Sequence, residues 1–98
     1  MKVIWSPAAL ENAEEISDYI ALDNKGAAVQ WIEDAFRLTK SLSTDPEIGR
    51  VVPELEDLNL RELIFGNYRI IYSIEQSDIN IHTVRHFKRL LSARDLGF

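Results

Sequence analysis

Between residues 58 and 87 apolar and polar side chains alternate, and two short polar interruptions cut the alternation into three segments. No other feature constrains the fold of this chain as strongly. A two-residue period is that of a strand with one face buried. The first interruption, Gly66-Asn67, is two residues long with glycine leading, the signature of a type II′ hairpin turn. The second, Gln76-Ser77-Asp78, reverses the chain again. Three strands are therefore expected over 58–65, 68–75 and 79–87, as an antiparallel meander. Its apolar face needs a covering layer, and only the first half of the chain is left to supply one.

That half reads as a short strand and two helices. Lys2-Val3-Ile4-Trp5 is β-branched and aromatic, and Ser6-Pro7 ends it with an N-cap hydroxyl followed by a proline suited to a first helical turn. Ala9, Ala13, Ile16 and Ile20 then recur at helical spacing, which predicts a helix over 7–22. Glu11, Glu14, Glu15 and Asp18 take its other side, as a solvated face or as a docking or metal-binding carboxylate cluster. Asp23-Asn24-Lys25-Gly26 is a tight turn, so a second helix over 27–42 folds back on the first, with Ala28, Trp31, Ile32, Ala35, Leu38 and Leu42 on its apolar stripe. Trp31 and Phe36 read either as core or as the walls of a binding groove. Residues 43–57 are aperiodic and contain Pro46, Gly49 and Pro53, a long loop. In the last strand the apolar positions run Ile79, Ile81, Val84, so the parity slips by one. A bulge near His82–Thr83, or cover on both faces, accounts for the slip. The tail, 88–98, has room for a short helix.

The expected fold is α+β in the order β-α-α-β-β-β: one domain over 1–98, a helical hairpin packed on a mainly antiparallel four-stranded sheet. Trp5, Ile16, Ile20, Trp31, Leu38, Ile70 and Tyr72 are its expected buried residues.

The absence of cysteine excludes a disulfide scaffold, a Cys-based zinc site and a thiol nucleophile, and His82 and His86 are the only histidines. No metal and no organic cofactor is expected. No apolar run is long enough for a signal peptide or a membrane span, so the expected address is the cytoplasm, with no membrane partner. The net charge of −5 is uneven: residues 1–48 carry four bases against nine acids, residues 49–98 seven against seven. Tight nucleic-acid binding rests on phosphate neutralisation, so direct sequence-specific DNA binding by this chain is not expected.

The polar groups that remain for chemistry are Arg61, Glu62, Arg69, Arg85, His86 and Arg89 on the late strands. Arg69 has the parity opposite to the apolar residues of its strand. It reads equally as a phosphate ligand or as an arginine hydrogen-bonded across the sheet to a carboxylate such as Glu62. His86, beside cations in a polar segment, is the best-placed acid–base group, with a purely structural role as the alternative.

Pro46-x-x-Gly49-Arg50, Leu60-Arg61-Glu62, Gly66-Asn67-Tyr68-Arg69-Ile70-Ile71-Tyr72 and Val84-x-His86-x-x-Arg89, in that order, resemble the RelE/ParE family of toxin–antitoxin toxins. The opening Trp5-Ser6-x-x-Ala9 and the helical hairpin fit it too, so the resemblance runs from about Val3 to Leu91. RelE-like members are ribosome-dependent mRNA endoribonucleases with two lysines on the strand before the hairpin, an arginine after it, and an arginine and a tyrosine near the C-terminus. Aligned on Arg69, the lysine positions fall on Leu60 and Glu62, the C-terminal arginine falls near Phe87, and no tyrosine follows Tyr72. A glutamate in place of a cation repels the scissile phosphate.

The resemblance therefore implies the ParE-like branch, whose members inhibit DNA gyrase without cutting RNA and are neutralised by a cognate antitoxin protein. Arg61, Arg69, His86 and Arg89 are then the target-binding candidates, and Trp31, Phe36, Phe65, Ile71 and Phe87 the antitoxin-binding ones, with Phe65, Ile71 and Phe87 expected on the sheet face away from the helices. The alternatives are an mRNA interferase using Glu47, Arg61, Arg69 and His86, or a degenerate toxin that retains only antitoxin binding.

Overall fold

In the computed structural model, which describes residues 1–96, the strand Tyr68–Glu75 is covered on both faces and lies at the middle of the sheet. The elements are β1 (Lys2–Trp5), α1 (Pro7–Ala21), α2 (Lys25–Lys40), β2 (Arg50–Val51), β3 (Leu60–Phe65), β4 (Tyr68–Glu75) and β5 (Asp78–His86). Sheet order is β1-β5-β4-β3-β2. All neighbours are antiparallel except β1, which runs parallel to β5 from Lys2 opposite Asp78 to Trp5 opposite Ile81.

The expected α+β order holds, with one strand more than expected. Arg50 and Val51 pair with Glu62 and Arg61, so the sheet has five strands. A two-residue strand has no period to read. The second helix ends at Lys40, and a 3-10 turn at Ser41–Ser43 replaces the end of the helix expected to Leu42. Another 3-10 turn, Pro53–Leu58, kinked at Leu55, lies in the segment expected to be loop. A third, Ala93–Leu96, lies in the tail; Gly97 and Phe98, the rest of that expected short helix, are outside the described residues.

Local signals act as the chemistry requires. Ser6 Oγ accepts from Ala9 N at 3.0 Å and caps α1, and Asn24 Oδ1 accepts from Ala27 N at 2.9 Å and caps α2. Gly66 turns the β3–β4 hairpin at φ +59°. The parity slip in β5 is a bulge: Ile71 faces Thr83 while Tyr72 faces Ile81, which leaves His82 as the extra residue.

One core lies between sheet and helices, with Leu63, Ile70, Tyr72, Ile79, Ile81 and Val84 against Ala9 and Leu42. The fully buried positions within the two helices are small, namely Ala9, Ala13, Ala28, Ala35 and Thr39. Ile70 and Tyr72 are sealed, as expected, whereas Trp5, Ile16, Trp31 and Leu38 are half-buried at the rim of this layer and Ile20 is half-buried further along α1.

A second cluster occupies the opposite face. Val52, Leu60, Ile71 and Leu91 are buried together, with Leu55, Leu58 and Leu96 packed against them. That face, expected from the sequence to be open, is covered by the Pro53–Leu58 turn and the C-terminal segment. Beyond Trp5, where β1 ends, α1 takes over the edge of β5: Ser6 Oγ donates to His82 O at 3.1 Å, and Val84 N donates to Asn12 Oδ1 at 3.1 Å.

Candidate functional site

Arg69 projects from β4 to the face away from the helices, and β3 sets Glu62 beside it on the same face. Its Nε donates to Glu62 Oε1 at 2.7 Å, and its terminal nitrogens donate to Glu54 Oε2 at 2.7 Å, Glu54 Oε1 at 2.8 Å and the Arg89 carbonyl at 3.3 Å. Glu62 is fully buried and also accepts from Arg50 Nε at 2.5 Å. The Arg69 side chain is only 5% exposed. Of the two roles open to it from sequence, the geometry is that of the arginine bonded across the sheet.

Electrostatics follow from this geometry. The hydrogen bonds from Arg69 hold the Glu54 carboxyl at about 2 instead of 4.5, against a smaller opposing effect of burial. The Glu54 carboxylate in turn raises the Arg69 pKa, with Glu62 adding to it and burial opposing it. An incoming phosphate would have to displace two carboxylates to reach this guanidinium.

Arg61 points to the opposite face, since it lies across from Tyr72 whereas Arg69 lies across from Ile64. Its guanidinium donates to the Gly49 carbonyl at 2.7 Å and the Glu47 carbonyl at 3.3 Å. The Tyr72 hydroxyl accepts from Gly49 N at 2.9 Å and donates to the Pro46 carbonyl at 2.8 Å. A Cβ at Gly49 would fall 2.6 Å from both Glu62 O and Tyr72 Oη, so only glycine fits. Burial pushes the Tyr72 phenol pKa up, which keeps it a neutral donor. The Pro46-x-x-Gly49-Arg50 motif is thus the part of the loop that Tyr72 and Arg61 clasp. Glu47, Arg61, Arg69 and His86 do not converge on one point.

His86 ends β5 on a row of rings: Phe65 to Trp31 at 5.7 Å, Trp31 to Tyr68 at 5.5 Å, Tyr68 to His86 at 5.8 Å, and His86 stacked on Phe87 at 5.0 Å. Phe65 therefore lies under α2 rather than on the far face, and Ile71 is sealed in the second cluster. Phe36 packs against Trp5 at 4.8 Å, so Trp31 and Phe36 cover different parts of the sheet and do not flank one groove. Phe87 remains half-exposed, and with Ile64 and Leu90 it lines a cavity of about 610 Å³ rimmed by Arg50, Pro53, Glu54 and Arg69. Sequence reasoning named neither Ile64 nor Leu90 as candidates. Glu54 was also missed, because it lies in an aperiodic segment.

Elsewhere, Ser73 Oγ lies 2.7 Å from His82 Nε2 and 3.1 Å from Glu75 Oε1. Burial lowers the His82 pKa. The carboxylate bonds the serine rather than the far nitrogen of the imidazole, so this trio lacks the geometry that activates a nucleophile. Among the described residues no helix is long and apolar enough to cross a membrane, and no three His, Asp or Glu side chains are grouped to hold a metal ion.

The family described as "ParE toxin of type II toxin-antitoxin system, parDE" matches residues 3–91. No curated protein matches. Among solved structures, the fold is similar to a chain of the "Chromosomal ParDE TA system from P. aeruginosa", with a TM-score of 0.74 at 20% identity over 88% of this chain and 95% of that one. With the family matched over nearly its whole length and the same sheet-and-hairpin fold beneath it, the chain belongs to the ParE toxin family of type II toxin–antitoxin systems.

Proposed function

We propose that this protein acts in the cytoplasm as an inhibitor of DNA gyrase, by binding and not by bond cleavage, and that a cognate antitoxin protein holds it inactive. The observation that carries this reading is the enclosure of Arg69 by Glu62 and Glu54. Cleaving RNA requires unpaired cations that meet the charge developing on the scissile phosphate. Here the arginine shared with the nuclease branch has its donors already engaged and is almost wholly buried. Arg61 faces the other side of the sheet and holds a loop carbonyl.

On this reading His86 and Arg89 remain the target-contacting candidates, while Arg61 and Arg69 shape the scaffold behind them. Phe87, with Ile64 and Leu90, supplies the exposed apolar surface for an antitoxin segment. Induction without the antitoxin gene tests the proposal. Loss of plasmid supercoiling with intact mRNA is expected. Codon-positioned mRNA cuts would establish the interferase instead, and unimpaired growth would mean a degenerate toxin.

A further inference from the structure

A cleft of about 200 Å³ lies between α1 and the end of the sheet, lined by Asn12, Glu15, Ile16, Tyr68, Val84, Arg85, His86 and Arg89. Three of these are donors with spare capacity. Arg85 is mostly buried, yet its Nε has no hydrogen-bond partner among the described residues. Among the described residues its one ion pair is with Asp95, at 3.3 Å. Asp95 is itself held elsewhere, accepting from Ser92 N at 2.9 Å and Ser92 Oγ at 3.1 Å. The His86 ring accepts from Lys88 N at Nδ1, at 3.2 Å, which places the proton of a neutral ring on Nε2 and makes that nitrogen a donor. Arg89 is exposed. A buried guanidinium donor left unmatched is costly, and among the described residues no carboxylate other than Asp95 lies within ion-pair distance of it, although Glu15 lines the same cleft.

We propose that this cleft receives a single carboxylate, an aspartate or glutamate side chain on a segment of a partner protein, held by Arg85, His86 and Arg89. The guanidinium fork matches a carboxylate in two bonds. Ile16, Tyr68 and Val84 supply apolar wall for the stem of such a side chain. Nucleic acid is the less suited oxyanion source. Its phosphates recur every few ångströms, and here they would run along the acidic face of α1, with Glu15 in the cleft and Glu11, Glu14 and Asp18 on the same helix. One carboxylate meets the three donors and only Glu15 of that face, not Glu11, Glu14 and Asp18 in succession. The inference rests on the reading of this toxin as a protein-binding inhibitor, and deepens it by naming the group recognised.

The test is a titration of the isotope-labelled full chain at low salt, followed by NMR at the Arg85 and Arg89 Nε–H, the His86 ring and the Asn12 amide. Three probes are compared: acetyl-Ala-Glu-Ala-amide, its Gln counterpart, and inorganic phosphate. Saturable shifts of these signals by the Glu peptide, little response to the Gln peptide, and weaker response to phosphate are expected. Arg89→Gln, at an exposed position, should weaken the Glu peptide by about two- to five-fold, and Glu15→Gln should tighten it by a similar factor. Arg85→Gln should abolish binding, and its amide spectrum shows whether the fold survives. Absence of saturable shifts, equal response to the Gln peptide, or preference for phosphate would each overturn the inference. Gyrase supercoiling is measured separately, so failure of the inhibitor reading and failure of the carboxylate site are told apart.

Discussion

At Arg69 two carboxylates enclose one guanidinium in a site nearly shut off from water, and the consequence is measurable as pH dependence. Glu54 carries it: its carboxyl sits at about 2 rather than 4.5. The folded-state pKa is depressed, so the stabilisation is complete above 4.5 and is lost as pH falls toward 2. The shift corresponds to at most about 3 kcal/mol, and the 20% exposure of the Glu54 side chain reduces it by solvent screening. Glu54→Gln should therefore destabilise the protein by about 1–3 kcal/mol at pH 7. Urea unfolding at pH 7, 4 and 3 should show the gap between variant and parent closing as the parent loses its advantage. A gap that stays constant with pH would mean that Glu54 acts through packing alone. Gly49 offers a second test at the same scale. Gly49→Ala places a Cβ against backbone and a fixed hydroxyl, both 2.6 Å away, so the loop must shift and surrender the bond to Tyr72. A loss of about 1–3 kcal/mol in chemical denaturation is expected; an unchanged midpoint would contradict the clasp.

Strands and helices differ in how much of them the chain declares. The alternation in β4 correctly separates Tyr68, Ile70, Tyr72 and Ile74 from Arg69 and Ile71, because period two fixes faces regardless of what covers them. Caps at Ser6 and the turn at Gly66 were legible because each is a local demand on one residue. The bulge at His82 was legible as a break in parity. The cover of the far face was not. It comes from Val52, the kinked Pro53–Leu58 turn and Leu91, pieces too short or irregular to carry a period. For the same reason Ile71, apolar on an apparently free face, looked available to a partner when it is fully buried. Ile71→Ala should accordingly cost about 2–5 kcal/mol in equilibrium unfolding, as a core truncation does. Leu90→Ala, at a side chain 82% exposed, should stay within about 0.5 kcal/mol. A small effect at Ile71 would mean that the second cluster is not part of the cooperative core.

For the whole molecule, the sheet divides labour between its faces. The helix side builds the main core and, at the β4–β5 end, sets out the ring row that leads to His86. The other side locks Arg69 behind Glu62 and Glu54 under a second, smaller core. Arg69 was legible in the sequence, but its state was not, because Glu54 joins it from fifteen positions upstream through a segment without pattern. That lock is what separates binding from cleavage in this account. The most direct measurement adds purified protein to DNA gyrase and relaxed plasmid, and in parallel to translating ribosomes with a reporter mRNA. The account predicts blocked supercoiling and an uncut message. Undisturbed supercoiling together with codon-positioned cuts that vanish in His86→Ala would contradict it.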